Sequence, residues 1–163
     1  MRLNAAECRQ NGRHYKEKTM MDIDWLRKIC LAFCGVTERI QWGYDLLFKV
    51  GGKMFAIAPL EPAPVCLTFK CSDESFAELT ERPKIIPARY LARAKWVALE
   101  SPDAMTRGEL SELLRTSYEL VFAKLPKRVQ EELKSAGSRR SHKRGNKPET
   151  KKTKKSARRK SRN

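Results

Sequence analysis

Apolar residues recur at three- and four-residue steps between residues 23 and 33, the first stretch of the chain with a regular pattern. The repeating positions are Ile23, Leu26, Ile29, Cys30 and Phe33. This spacing puts them on one face of an α-helix. Asp22 precedes them and can act as the N-cap, and Gly35 follows at a position typical of a helix end. The pattern predicts a first amphipathic helix between these two residues.

The clearest local signal is the stretch DLLFKVGGKMFAIA, residues 45–58. Two alternating apolar runs flank two glycines, which favours a two-residue β-hairpin because both turn positions require a positive φ. The predicted pairs are Val50 with Lys53, Phe48 with Phe55, and Leu46 with Ile57. Leu46, Phe48, Phe55 and Ile57 would then share the face of the sheet that lies against the core.

Shorter patterns predict the remaining elements. TERIQWG, VCLTFK and KWVALE are typical of strands, and PLEPAP and PKIIPARYLARA of irregular segments. SDESFAELTER is a helix capped by Ser72, Trp96 is expected in the core, and PKRVQEELKS is a short last helix. Thr106 and Glu109 form a capping-box pattern before a longer helix, whose apolar stripe holds Leu110, Leu113, Leu114, Ser117, Val121 and Leu125. This order predicts an α+β domain, an antiparallel sheet with helices packed on one face.

Charge is distributed very unevenly along the 163 residues. The chain carries a net charge of +16, of which +12 falls in residues 135–163 and +3 in residues 1–20. Residues 21–134 hold 17 basic and 16 acidic residues, so the folded part is close to neutral. The predicted organisation is a disordered extension over 1–20, one domain over 21–134 and a disordered Lys/Arg-rich tail over 135–163, because these termini lack the apolar residues that build a core.

The tail suits a polyanion, because each lysine or arginine near a phosphate releases condensed counterions. Its candidate contacts are Arg139, Arg140, Lys143, Arg144, Lys151, Lys152, Lys154, Lys155, Arg158, Arg159 and Lys160. Having no aromatic residue to stack on bases, it is expected to bind without sequence preference and not to distinguish DNA from RNA. The open alternative is a solubilising extension that has no specific partner.

A second candidate set lies in the domain: Lys49, Lys53, Arg89, Arg93 and Lys95. These residues are expected on a hairpin and on a loop beside Tyr90, where they could contact phosphates. The alternative is an ordinary solvated surface, which the near-neutral charge of the domain favours.

Several other functions are disfavoured by the residues present. The only histidines, His14 and His142, lie in the predicted tails, which removes most histidine-dependent catalysis and metal binding. The five cysteines show no zinc-type pairing, and Cys30, Cys34, Cys66 and Cys71 resemble buried core residues in a reducing cytoplasm. No apolar run reaches the roughly 18 residues of a membrane span. We therefore expect no catalytic residues, no cofactor, no metal and no membrane association.

In the order of these sequence segments the chain resembles the MmcQ/YjbR family of small bacterial proteins. The resemblance rests on LRKICLAFCGVTE, DLLFKVGGKMFAI, LTFKC, IIPARYLARAKWVAL and LLRTSYELVFAKLPK, and it spans about residues 22–132. It implies a CyaY-like fold with a double-wing surface and a DNA-binding role. It brings no catalytic residues, and the first helix lacks the acidic ridge with which frataxin would hold iron.

Together these points favour a non-enzymatic, cytoplasmic, nucleoid-associated protein that binds DNA mainly through its tail. The alternative is a protein-interaction module whose domain does not itself bind nucleic acid.

Overall fold

The computed structural model describes residues 20–143. Six strands form one antiparallel sheet in the order β1-β2-β3-β4-β6-β5. The strands are β1 Val36–Gln41, β2 Asp45–Val50, β3 Lys53–Pro59, β4 Leu67–Lys70, β5 Ile85–Pro87 and β6 Trp96–Leu99. The helices are α1 Ile23–Cys30, α2 Asp73–Thr80, α3 Arg107–Ala123 and α4 Lys127–Lys143. The predicted α+β class, with helices packed along an antiparallel sheet, is confirmed.

The predicted helix starts are confirmed by their capping hydrogen bonds. The accepting side chains are Asp22 for Trp25 N at 3.0 Å, Ser72 for Ser75 N at 3.1 Å and Thr106 for Glu109 N at 3.2 Å. The Glu109 carboxylate accepts a hydrogen bond from Arg82. Glu109 therefore connects the start of α3 to Arg82, which lies just after the end of α2.

The first helix is shorter than its apolar spacing predicts. It ends at Cys30, yet Phe33 still packs on the core, with its ring 5.0 Å from that of Tyr118. Gly35 has a φ of +70°, and a Cβ there would lie 2.6 Å from Leu133 Cδ2. The helical spacing of apolar residues continues past Cys30 because the turn that follows the helix also faces the core.

The predicted hairpin exists, but two of its three predicted residue pairs are wrong. Gly51 and Gly52 have φ values of +55° and +79°, and Val50 pairs with Lys53 as expected. Beyond Lys49 and Met54 the register shifts, and Phe48 then pairs with Ala56 instead of Phe55. The extra residue is a β-bulge, and a shift of one position moves the following side chains to the opposite face.

Ile57 lies on the opposite face of the sheet from the one predicted for it, as a result of this bulge. It pairs with Leu47, and Leu46 pairs with Ala58. The main core therefore contains Leu46, Phe48 and Phe55 but not Ile57. The sequence pattern shows strict alternation across the turn, and nothing in it indicates the bulge.

Hydrophobic residues are buried on both faces of the sheet. The main cluster lies between the sheet and the helices. A smaller cluster on the other face contains Leu47, Ile57, Ala88, Trp96 and Ala98. Trp96 is thus buried as predicted, but in this second cluster. The segment predicted to be irregular supplies Ala88 and also forms the short edge strand β5.

The last helix continues to Lys143, past the predicted domain boundary at residue 134. It is held to the domain by the Cys34 thiol, which donates to the carbonyl oxygen of Leu133 at 3.0 Å. Residues after this anchor can extend the helix because Ser, Lys and Arg are tolerated in helices. No helix in the described part of the chain has the length and apolar character needed to cross a membrane.

Candidate functional site

A cleft of about 520 Å³ opens near the β2–β3 turn. Its walls come from the hairpin, from the end of β4, from residues 91–96 and from the end of α3. Four lysines, Lys49, Lys53, Lys70 and Lys124, line it together with Trp42. We call this site the lysine cleft.

The lysine cleft lies where β3 and β4 are not paired. The ladder between them consists of Ala56 with Phe69 and Ile57 with Thr68. The first residues of β3 therefore lack a β4 partner, and Ser117 of α3 bridges the two strands there through its hydroxyl. Because the sheet separates at this end, side chains of β3 and β4 can line an open space.

The cleft concentrates positive charge. No carboxylate lines it, and within residues 20–143 none of its four lysines forms a salt bridge. The Lys49 ammonium donates to Gln41 Oε1, and that of Lys70 donates to the carbonyl oxygen of Ala94. The pKa of Lys70 is lowered, first because burial desolvates its ammonium and then because the charge of Lys124 is near. The negative charge of an anion in the cleft would favour the protonated ammonium and so oppose both effects.

Many other basic residues of the described chain are neutralised by carboxylates. The pairs are Arg27–Glu38 at 2.8 Å, Arg82–Glu78 at 2.8 Å, Lys84–Asp103 at 2.8 Å, Arg107–Asp22 at 3.0 Å, Arg128–Glu132 at 3.0 Å and Lys95–Asp73 at 3.3 Å, with a second bond from Arg82 to Glu109. The near-neutral sum over residues 21–134 thus conceals a local excess of positive charge in the cleft.

An exposed tryptophan stands at the cleft wall. Trp42 is 67% exposed and has a φ of +53°, an uncommon backbone conformation for a bulky residue. Tyr90 is 88% exposed, has a φ of +65°, and directly precedes Leu91, which lines the cleft. Trp42 therefore places an exposed aromatic side chain at the wall of a cleft that four lysines also line.

The five basic residues that the sequence suggested as contacts in the domain fall into three groups in the structure. Lys49 and Lys53 line the cleft. Arg89 and Arg93 are exposed on the segment that supplies its Leu91 and Ala94, and the guanidinium of Arg89 lies 5.2 Å from the Tyr90 ring centroid. Lys95 instead contacts α2, where its ammonium lies 5.0 Å from the Phe76 ring and pairs with Asp73.

The other two cleft lysines, Lys70 and Lys124, and the exposed Trp42 were not among the predicted contacts. They are distant in sequence and come together only when α3 packs on the sheet. Of the tail candidates, Arg139, Arg140 and Lys143 belong to the end of α4. The candidates from Arg144 to Lys160 lie outside the described residues.

The cysteines are placed for packing. Cys30, Cys66 and Cys71 are buried, and burial raises their pKa values to about 12, 12 and 11. They are therefore thiols and not nucleophilic thiolates at neutral pH. In the described part of the chain no group of three or more His, Cys, Asp or Glu residues is placed to hold a metal ion.

Comparison with known proteins agrees with the architecture. The YjbR family profile matches residues 31–120, more than half of the chain. The crystal structure of Deinococcus radiodurans protein DR2400, which contains a DUF419 domain, is 31% identical with a TM-score of 0.64; the match covers 71% of this chain and 89% of that one. No curated protein matches the chain. The match to the family profile and the shared structure together show that the chain belongs to the YjbR family.

Proposed function

We propose that the protein binds DNA without catalysing a reaction, through its basic tail and the lysine cleft together. The observation that carries the proposal is the set of four cleft lysines with no carboxylate among the lining residues. Ammonium groups that lack a protein counterion gain most from phosphate contacts, because binding releases the ions that otherwise accompany the phosphates.

The tail supplies most of the affinity in this proposal. Residues 135–163 carry a net charge of +12, and this segment begins within α4, which Leu133 anchors to the domain. Binding by the tail raises the local concentration of the domain on the same polymer. The cleft then adds a few contacts whose geometry the domain defines. Such phosphate contacts position the protein but do not read base sequence. Association with the nucleoid is part of this proposal.

A second candidate function is a protein-interaction module. It is favoured by the edge strand β1 and the turn after it, where Ile40 is 55% exposed and Tyr44 is 61% exposed. An edge strand has unpaired backbone groups that can bind a strand of another protein. In this case the domain would capture a defined partner and show no affinity for DNA of its own.

A salt titration of binding to a generic duplex tests the first proposal. The full chain is compared with a variant in which the ten Lys and Arg residues after Lys143 become Gln. Each lost phosphate contact lowers the slope of log affinity against log salt by about 0.9, so a loss of up to about 9 is expected. An unchanged slope would show that the basic residues after Lys143 do not bind DNA.

The cleft is tested separately in the same titration. The double variant Lys53→Gln/Lys124→Gln should lose up to about 2 units of slope. Lys28→Gln is the matched control, because Lys28 is an exposed lysine of α1 that does not line the cleft. If the double variant behaves like this control, the cleft takes no part in binding. Capture of a defined protein by a full chain that does not bind DNA would favour the second function.

A further inference from the structure

We propose that the lysine cleft binds single-stranded nucleic acid and stacks one unpaired base on the indole of Trp42. This inference rests on the proposed function and specifies the form of nucleic acid that the cleft accepts. It assigns a role to Trp42 that phosphate binding alone does not require.

The first argument is the chemistry of the cleft wall. Four lysines and the exposed Trp42 line the same space of about 520 Å³, together with the buried Trp96. This volume lies within the range typical of small-ligand sites. A nucleotide offers both the phosphate that the lysines require and the flat aromatic base that an indole can stack on. A simple inorganic anion would use only the lysines.

The second argument is the exposure of Trp42. Its side chain is 67% exposed, although burying an aromatic ring is normally favourable. The neighbouring Gly43 has no atom within 4 Å of the position that a Cβ would take, so the tip of the turn is open to solvent there. The domain therefore holds the indole in solvent instead of packing it into the second hydrophobic cluster.

The third argument is the backbone at the same residue. Trp42 has a φ of +53°, where a residue with a Cβ is disfavoured by about 1–2 kcal/mol. Strained backbone of this kind concentrates at ligand-binding positions. In Trp42 the strain coincides with exposure and with a charged cleft.

A single strand fits this arrangement better than a duplex. In a duplex each base is already stacked and paired, so the indole can reach it only after the base is unstacked, which costs a few kcal/mol. In a single strand the bases can turn outward onto an aromatic side chain while the phosphates contact lysines. The cleft is therefore expected to prefer single strands even though the tail binds either form.

The test uses the full chain and three probes of equal length: an oligothymidylate, the same strand without bases, and a duplex. Trp42→Ala should weaken binding of the oligothymidylate by about tenfold, the size typical for one stacked base. The affinity for the abasic strand and for the duplex should not change, because the lysines and the tail are intact. Trp42→Phe should restore most of the lost affinity.

Tyr44→Ala is the matched control, since Tyr44 is 61% exposed on the same turn but does not line the cleft. It should bind all three probes as the wild type does. Because Trp42 is largely exposed, its replacement is compatible with folding, and circular dichroism of the variants checks this.

The outcomes separate the two proposals. Equal binding of the oligothymidylate by the wild type and Trp42→Ala overturns base stacking, and so does an equal loss for all three probes. If the duplex still binds in those cases, the proposed function stands without the stacking. If none of the three probes binds the full chain, both proposals fail.

Discussion

The hydroxyl of Ser117 donates a hydrogen bond of 2.7 Å to the carbonyl oxygen of Phe55. The hydroxyl oxygen in turn accepts a hydrogen bond of 3.0 Å from the backbone N–H of Lys70. Phe55 belongs to β3 and Lys70 to β4, so one helix side chain joins two strands at the point where their own ladder has ended. This contact satisfies both backbone groups while the strands stay apart, and the lysine cleft opens beside it.

Replacing Ser117 with alanine should destabilise the domain. The change leaves the Phe55 carbonyl and the Lys70 N–H without their partner, and an unsatisfied buried polar group costs about 1–3 kcal/mol. Urea denaturation measures the free energy of unfolding. Thr116→Ala is the control, because the exposed Thr116 hydroxyl donates only to Glu112 O of its own helix. Equal stability of the two variants would contradict a structural role for the bridge.

The two glycines of the hairpin turn should differ in their tolerance of alanine. Both have positive φ, but a Cβ on Gly51 would lie 2.6 Å from Leu125 Cδ1, whereas nothing lies within 4 Å of one on Gly52. Gly52→Ala adds only backbone strain, and Gly51→Ala also displaces the buried Leu125. We expect Gly51→Ala to lower the free energy of unfolding by about 1–3 kcal/mol more than Gly52→Ala. Equal thermal stabilities would show that Leu125 moves at no cost.

Stability should fall in alkaline solution because of the buried cysteines. Burial raises the pKa of Cys30 from 9.0 to about 12. Below pH 9 the thiol is protonated in both states. As the pH rises from 9 towards 12 only the unfolded chain ionises, so the folded state loses up to about 1.4 kcal/mol of stability per pH unit.

The contribution of Cys30 can be isolated with a variant that does not titrate. The wild type should lose stability relative to Cys30→Ala by about 2 kcal/mol between pH 8.5 and pH 10.5, as measured by urea denaturation. Leu79→Ala removes a buried apolar side chain without a titrating group, so its difference from the wild type should not change over this range. A constant difference for Cys30→Ala would contradict the raised pKa.

Two lysines that look equivalent in the sequence should differ in DNA binding. Lys53 is exposed at the cleft, whereas Lys95 pairs with Asp73 and lies over the Phe76 ring. Lys53→Gln is therefore expected to reduce the salt slope of duplex binding by about 0.9, and Lys95→Gln by clearly less. A larger effect for Lys95→Gln would move the binding surface from the cleft to α2.

Local patterns were enough to predict the helix starts, the hairpin turn and every strand except β5. Asp22, Ser72 and Thr106 act within three residues of their partners, and Gly51–Gly52 forms the predicted two-residue turn between its strands. Such interactions depend on near neighbours in the chain and are therefore visible in the sequence. The family resemblance added the expectation of a CyaY-like fold.

The sequence by itself determined an α+β domain of nearly neutral charge followed by a strongly basic terminal segment. Only the tertiary structure decided the bulge at Phe48 and Lys49, the bridge through Ser117, and the meeting of Trp42, Lys70 and Lys124 in one cleft. These features depend on contacts between residues far apart in the chain. Periodicity cannot show such contacts, because the packing of α3 on the sheet decides where its strands separate and which charges are brought together.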